Sequence, residues 1–418
     1  MSLTAGDDLL AIVARRATNF PTREIAVAVS GGGDSAALLQ VLAQYARTSG
    51  TSIIAATIDH CLRAASAAEA AQVADVCAGL GIAHTTLKWV GWDGSGNLQD
   101  AARSARYRLL ADWARANGCG QVWLGHTADD QAETFLMRLA RGSGVDGLSA
   151  MPEAVTRDGI EWVRPFLTVS RERLRQFLGA NGLRWIDDPS NADPRFERIK
   201  FRNAAESLAE LGLTRERLNA TAAAMTRARA ALERMTEAFL HNAATTSVAG
   251  EVTIEGDALA KVEAEIRLRG LARVLMWVSG AVYRPRLEAL EHLDQTISNG
   301  ELAGGMTLHG CTLRRERDFI VVRRELARMA GKIAANAGVW DGRWRISGPL
   351  EGHLLGGLGA SGLEQVTDWR QTKLSREALM TTPGIWRGDV LIAAPVAGME
   401  MGFAATFCQE FQISALCG

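Results

Sequence analysis

The sequence contains no run of about 18 uninterrupted apolar residues, so it predicts no membrane-spanning helix. Its six cysteines lie far apart and form no CxxC pair, which argues against a zinc or iron–sulfur site and indicates free thiols in a reducing compartment. The amino terminus lacks the basic and then apolar segments of a signal peptide. These absences predict a cytoplasmic protein. With 418 residues, 47% of them hydrophobic, the chain is long enough for about two or three domains.

Lysine is scarce, with five residues among the 46 basic ones. Arginine suits phosphate recognition, but a coding bias gives the same excess, so the skew alone predicts no partner. The net charge is only −1. Residues 195–234 carry nine basic and five acidic side chains, whereas the last 83 residues carry six and eight. Charge therefore predicts a basic face in the middle of the chain and nothing further.

Strand and helix patterns alternate over the first 125 residues or so. Short apolar runs predict strands at residues 25–29, 53–58, 82–89 and 121–124. Helical patterns follow at residues 34–47, 66–80, 97–116 and 128–141. This alternation predicts an α/β fold with a parallel sheet covered on both faces.

The pattern changes near residue 212. Helical patterns cover residues 214–241, 264–279 and 286–297, and β-like segments follow at 306–322, 340–346 and 384–394. We predict three domains: an α/β domain at 1–212, a mostly helical domain at 213–334, and a small α+β domain at 335–418. The apolar stretch 399–418 is either core or a contact with a partner.

One glycine-rich segment lies directly between the first predicted strand and its helix, Ser30-Gly31-Gly32-Gly33-Asp34-Ser35. Glycines let the backbone approach an oxyanion, and the first amides of the helix point at it. The two serines add hydroxyl donors, and Asp34 can hold Mg²⁺ against phosphates. The segment is neither a Walker loop nor a GxGxxG fingerprint. It predicts a phosphate site, with a ligand-free glycine turn as the alternative.

This segment resembles the pyrophosphate loop of the ATP-pyrophosphatase (PP-loop) superfamily. The resemblance implies an adenine nucleotide alpha hydrolase-like domain that cleaves ATP between its α and β phosphates. Further segments resemble the tRNA(Ile)-lysidine synthases, namely residues 59–63 (DHCLR), 97–107 (NLQDAARSARY) and 126–134 (HTADDQAET), and also 164–166, 185–191 and 200–203. The resemblance is close up to about residue 203 and looser beyond it.

Two of these segments also carry chemistry of their own. Arg103 and Arg106 share one helix face and could grip a phosphate, although a solvated arginine face is the alternative. Asp129, Asp130 and Glu133 open a helix at the carboxyl end of a strand, where acidic side chains are favoured in any case. Beside a phosphate loop they predict a Mg²⁺ site or a general base.

The resemblance implies ATP and Mg²⁺, free L-lysine as nucleophile, and tRNA(Ile) with a CAU anticodon as the RNA substrate. It also implies that residues 1–212 form the catalytic domain and that the domains at 213–334 and 335–418 bind the tRNA. The wobble cytidine would be adenylated through its C2 carbonyl and then attacked by lysine. Implied catalytic residues are Asp34, Asp129, Asp130, Arg103 and Arg106, and the metal would be held by Asp34 with Asp129 or Asp130. Implied nucleotide contacts are Ser30, Gly31, Gly32, Gly33, Asp34, Ser35, His60, Arg63 and His126.

Two other functions remain open from the sequence. A PP-loop tRNA thiolase would share the loop, but such enzymes usually activate sulfur through paired cysteines. A catalytically inactive tRNA- or nucleotide-binding protein would keep the fold and lose the aspartates, all of which are present. The sequence also leaves a homodimer open, and it does not decide which of Asp129 and Asp130 binds metal and which acts as the base.

Overall fold

The structure is a computed structural model that describes residues 6–61, 65–90, 92, 98–186, 197–409 and 411. The expected nucleotide contact Arg63 and the segment 187–191 lie outside the described residues. Internal contacts divide the chain into two compact units, Met1–Arg229 and Ala230–Gly418. The division into three domains stays a prediction. None of the described helices is long and apolar enough to cross a membrane.

Six strands form the sheet of the first unit: β1 (Glu24–Ala28), β2 (Ser52–Asp59), β3 (Ala83–Lys88), β4 (Gln121–Leu124), β5 (Ala154–Arg157) and β6 (Ile160–Val163). Their order is β3-β2-β1-β4-β6-β5. All neighbouring strands run parallel except β5, which pairs antiparallel with β6 at one edge. The predicted parallel sheet is therefore confirmed, and β5 and β6 extend it beyond the four predicted strands.

Ten helices begin in the described residues of this unit: α1 (Asp7–Asn19), α2 (Gly33–Ser49), α3 (Ser66–Leu80), α4 (Leu98–Ala116), α5 (Ala128–Ala140), α6 (Val145–Leu148), α7 (Arg171–Ala180), α8 (Glu197–Asn203), α9 (Ala205–Glu210) and α10 (Arg215–Ala243). Side chains alternate along a strand, so Ile25 and Val27 join the core under α1, α2, α3 and α7. Ala26 faces the opposite side and packs under α4. Both faces of the central strands β1 and β4 are thus buried, which explains their apolar residues, whereas the edge strand β3 is largely exposed.

Twelve strands and five helices are described in the second unit. The strands are β7 (Ala244–Thr246), β8 (Val252–Glu255), β9 (Met306–Leu308), β10 (Cys311–Glu316), β11 (Phe319–Arg324), β12 (Ile333–Ala334), β13 (Val339–Trp340), β14 (Trp344–Ser347), β15 (Leu354–Gly357), β16 (Pro383–Arg387), β17 (Val390–Ala393) and β18 (Ala404–Phe407). The helices are α11 (Gly256–Lys261), α12 (Ala264–Ser279), α13 (Leu287–Ser298), α14 (Gly359–Leu363) and α15 (Arg376–Met380). The segment predicted to be mostly helical therefore also contains the antiparallel sheet β7-β8-β11-β10-β9, on which α12 and α13 pack.

Two smaller antiparallel sheets follow, with strand orders β12-β15-β16-β17 and β13-β14-β18. Trp340, Trp344 and Ile385 are buried between them. Strand β18 belongs to the apolar stretch 399–418 and pairs with β14, while Phe403 just before it is buried. Phe403 thus joins the core, whereas Met401, Ala404 and Thr406 of the same stretch are exposed.

Three neighbouring strands of the first unit bring the predicted site segments together. The glycine-rich loop follows β1, His60 follows β2, and His126 follows shortly after β4. Because β2, β1 and β4 are adjacent and parallel, their carboxyl ends meet at one edge of the sheet. Ligands of open α/β sheets bind at this edge.

Candidate active site

The glycine-rich loop is closed by hydrogen bonds from Ser35, in the first turn of α2. Its hydroxyl accepts from the Ser30 amide at 3.1 Å and donates to the Gly32 carbonyl at 3.0 Å. The two serine hydroxyl oxygens lie 3.1 Å apart. The loop therefore holds its shape without a ligand, directly before the 17-residue helix α2. Free amides at the start of such a helix form a site for phosphate.

Two glycines are required by close contacts around this loop. Gly31 has a φ of +85°, and a Cβ there would lie 2.7 Å from Cδ1 of Ile186, whose amide donates to the Gly31 carbonyl at 2.9 Å. A Cβ on Gly125, after β4, would lie 2.9 Å from the Asp34 carbonyl oxygen and 3.0 Å from Cα of Ser35. The end of β4 thus packs against the first turn of α2, which brings its residues to the phosphate loop.

Helix α5 begins with a capping box that fixes Asp130. The Thr127 hydroxyl accepts from the Asp130 amide at 3.4 Å and donates to Oδ2 of Asp130 at 2.9 Å. The same oxygen accepts from the Thr127 amide at 2.8 Å. Both residues are buried. The box therefore orients one carboxylate of the predicted pair and satisfies amides that the helix leaves unpaired.

Thr127→Val is expected to lower the free energy of unfolding by about 1–2 kcal/mol, because it removes a cap and leaves a buried carboxylate with one donor fewer. Urea denaturation followed by tryptophan fluorescence measures the change. Ser375→Ala is the matched control, since Ser375 caps α15 by accepting from the Ala378 amide at 3.1 Å. Ser375→Ala should lower the free energy of unfolding by less than Thr127→Val, because the Ser375 hydroxyl does not donate to a buried carboxylate. Equal or greater loss in the control would contradict this account.

Arg171, at the start of α7, contacts all four acidic residues of the site. Its amide donates to Oδ2 of Asp129 at 2.7 Å. Its guanidinium lies 3.1 Å from Asp34, 3.5 Å from Asp130 and 3.4 Å from Glu133, measured between nitrogen and carboxylate oxygen. The Arg171 side chain is only 17% exposed. One partly buried cation thus joins the phosphate loop to the acidic turn of α5.

Three more arginines complete the cluster. Arg198 and Arg202, in α8, pair with Glu133 at 3.3 and 2.9 Å. Arg198 also lies 3.6 Å from Asp130, and Arg215 at the start of α10 lies 3.4 Å from Asp129. We define the acidic cluster as Asp34, Asp129, Asp130 and Glu133. Four arginines therefore contact these four carboxylates, and the formal charges balance.

Burial and neighbouring charges separate the carboxylates. Burial raises the pKa of Asp34. Arg171 opposes this rise, and the negative charges of Asp130 and Asp129 add to it. Burial also raises the pKa of Asp130, but Arg198 and Arg171 outweigh it and leave that pKa below its usual value. Burial lowers the pKa of His126 to about 3, against the attraction of Asp130. His126 is therefore a neutral imidazole near pH 7.

The other predicted site residues that the structure describes are His60, Arg103 and Arg106. His60 packs edge-on against Trp89, with ring centroids 5.7 Å apart, and its Nδ1 is buried. Arg106 is close enough to lower the pKa of both His60 and His126, so it lies near the strand ends. Arg103 is exposed and lies over the ring of Tyr107, 5.2 Å from its centroid. Burial raises the pKa of Tyr107, but Arg103, Arg164 and Arg106 outweigh it, so Arg103 and Arg106 lie near the same ring and their joint grip on a phosphate stays a prediction.

The donor set fits a magnesium ion only in part. Oδ1 of Asp34 is buried and has no hydrogen-bond partner among the described residues, as expected for an oxygen that awaits a cation. In the described portion of the chain, no group of three or more His, Cys, Asp or Glu residues could hold a metal by itself. Magnesium is commonly bound by one or two carboxylates together with substrate phosphates. The assignment of the metal to Asp34 with Asp129 or Asp130 stays a prediction.

Sequence reasoning missed Arg171. It lies 137 residues after Asp34 and belongs to none of the recognised segments. The only local signal is Ser170, whose hydroxyl accepts from the Arg173 amide and caps the helix that Arg171 begins. Arg202 lies in a segment whose resemblance was noted, but its pairing with Glu133 was not predicted.

The loop, the helix behind it and the adjacent carboxylates define a nucleotide site of the PP-loop class, and the family model of the PP-loop domain matches residues 8–207. The chain is 43% identical to the tRNA(Ile)-lysidine synthase of Ruegeria pomeroyi over 97% of its own length and 96% of that protein. It is 34% identical to the enzyme of that name from Wolbachia pipientis wMel, covering 82% of this chain and 79% of the relative. The chain therefore belongs to the tRNA(Ile)-lysidine synthase family, whose members are ATP-using ligases that form a carbon–nitrogen bond.

Among solved structures, the U34-tRNA thiolase NcsA from Methanococcus maripaludis matches 50% of this chain and 72% of its own, with a TM-score of 0.41 and 16% identity. A likeness at this level supports no inference about function.

Proposed function

We propose that this chain converts the wobble cytidine of tRNA(Ile) with a CAU anticodon into lysidine. The C2 carbonyl oxygen of the cytidine attacks the α-phosphorus of ATP, and pyrophosphate leaves. The ε-amine of free lysine then attacks C2, the C2–oxygen bond breaks, and AMP departs with that oxygen. The observation that carries the proposal is the convergence of the acidic cluster beside a preformed phosphate loop in a member of this family.

The phosphate loop would bind the phosphates through the amides of residues 30–33 and the hydroxyls of Ser30 and Ser35. Asp34 would hold Mg²⁺, because its Oδ1 is buried and unpaired among the described residues. The ion would neutralise charge on the phosphates when bound. The chain's own role is to position the reactants and to exclude water from them.

The exposure of the two neighbouring aspartates favours different roles for them. Both oxygens of each are engaged, those of Asp130 by Thr127, Arg171 and Arg198 and those of Asp129 by the Arg171 amide and Arg215. The Asp129 side chain is 26% exposed, against 10% for Asp130. We therefore assign Asp129 to the proton of the incoming lysine amine, which is protonated near pH 7. Asp130 would orient its neighbours.

The tRNA would be held beyond the site by residues 213–334 and 335–418 as well as by the catalytic segment, residues 1–212. Arg217 and Arg227 on the first half of α10 are exposed and could follow the phosphate backbone. Loss of Arg217 and Arg227 should weaken tRNA binding more at low salt than at high salt. The variant would release fewer counterions when it binds, so its affinity would depend less on salt. The protein would act in the cytoplasm, where its RNA substrate is made.

Incubation with ATP, Mg²⁺, labelled lysine and unmodified tRNA(Ile) carrying CAU tests the proposal. Label should be retained on the RNA, and omission of ATP should abolish retention. The matched RNA control carries a GAU anticodon, which has no wobble cytidine and should take up no label. Pyrophosphate release without lysine incorporation would reject lysine as the nucleophile. No reaction of either kind would indicate a binding protein without catalytic activity.

A further inference from the structure

Arg171 is the one described residue whose hydrogen bonds and ion pairs reach every member of the acidic cluster. The other three arginines each contact one or two of the carboxylates. Arg171 also has the most buried side chain of the four, at 17% exposed against 32–36%. It is therefore placed to hold the four carboxylates together, since without a counter-ion they repel one another.

The contact between Arg171 and Asp34 conflicts with metal binding at Asp34. The guanidinium Nε donates to Oδ2 of Asp34 at 3.1 Å, while Oδ1 is buried and has no partner among the described residues. A divalent cation at Oδ1 would lie within a few ångströms of the guanidinium. Two cations that close in a buried site repel each other strongly. A metal ion at Asp34 therefore weakens the Arg171 contact, and Arg171 weakens the binding of the metal.

We propose that Arg171 is a positioning residue that holds the acidic cluster together before substrates bind and that competes with the divalent cation for Asp34. The guanidinium leaves Asp34 when the metal binds and is then free to face the incoming phosphates. This inference rests on the metal role assigned to Asp34 in the proposed function. It does not depend on the identity of the nucleophile or of the RNA.

Manganese binding to the full chain, without ATP, lysine or tRNA, tests this competition. Free Mn²⁺ is measured by electron paramagnetic resonance during titration. Arg171→Met removes the charge and keeps much of the side-chain length, so it should bind Mn²⁺ at least about tenfold more tightly than the wild type. Its melting temperature should be lower in EDTA and should recover on addition of Mn²⁺. A purely structural arginine would give no such recovery.

Three further variants sharpen the test. Arg173→Met is the matched control: Arg173 lies two residues along α7 and pairs with Asp8 at 2.8 and 2.9 Å, outside the cluster. Its Mn²⁺ affinity should equal that of the wild type. Arg171→Lys keeps the charge and should also bind like the wild type. Arg171→Gln removes the charge and should match Arg171→Met.

Addition of Asp34→Asn to Arg171→Met should abolish the tighter binding, because the metal would lose its carboxylate. The inference is overturned if neither neutral variant gains affinity, or if the double variant binds as tightly as Arg171→Met. Because no RNA or lysine is present, these outcomes are separate from the outcome of the lysine-incorporation assay.

Discussion

Asp34→Asn is expected to lower lysine incorporation at least about a hundredfold, comparable to the loss of one preorganised electrostatic group in other active sites. Asparagine has the same shape and keeps an oxygen for Arg171, but it cannot supply the charge that a metal ion on the phosphates requires. Burial already raises the pKa of Asp34, so loss of its charge should leave the fold intact. The rate is measured with labelled lysine at saturating ATP and tRNA.

Asp158→Asn is the matched control for this variant. Asp158 is an exposed carboxylate that pairs with Arg157 at 3.4 Å and has a φ of +54°, which asparagine tolerates well. It should incorporate lysine at the wild-type rate. If Asp34→Asn kept more than about a tenth of the wild-type rate at saturating ATP, the assignment of Asp34 to the reacting phosphates would be wrong.

Gly125→Ala is expected to reduce lysine incorporation about a hundredfold and to cost about 1–3 kcal/mol of stability. A Cβ there would lie 2.9 Å from the Asp34 carbonyl oxygen and 3.0 Å from Cα of Ser35, both of which are backbone atoms. Backbone cannot rotate away as a side chain can, so β4 and α2 must separate. The phosphate loop then shifts relative to His126 and the acidic turn. Incorporation assays and urea denaturation measure the two effects.

Gly120→Ala provides the comparison, because Gly120 precedes the same strand and a Cβ there would meet no atom within 4 Å. It should change neither stability nor rate by a measurable amount. A wild-type rate for Gly125→Ala would mean that the contact between β4 and α2 does not position the loop.

Most strands and helices of the first unit were predictable where the sequence shows both an apolar pattern and the residues that end it. The bounds of β4 and of α3 agree with the predicted residues 121–124 and 66–80, because apolar runs there end at glycine or at a polar turn. Helix α7 was not predicted, although Leu174, Phe177 and Leu178 are buried at helical spacing. Strands β5 and β6 were not predicted, because they follow one another directly as an antiparallel pair and lack the alternation with helices that marked the earlier strands.

In the candidate site, only contacts between residues close together in the sequence were predictable. The capping box of Thr127 and Asp130 spans three residues, and the Ser30–Ser35 contacts span five, so both can be inferred from sequence. The pairing of Arg171 with Asp34 depends on how α7 packs beside α2, which no local pattern specifies. The same holds for Arg202 and Glu133, which are 69 residues apart.

The most direct test of the central claim is mass analysis of the anticodon fragment of tRNA(Ile) after reaction with the wild-type protein. The account predicts that the wobble cytidine alone gains the mass of one lysine less one water, and that one AMP and one pyrophosphate form for each modified tRNA. An unmodified cytidine, a lysine ester at the end of the tRNA, or ADP as the product would contradict it.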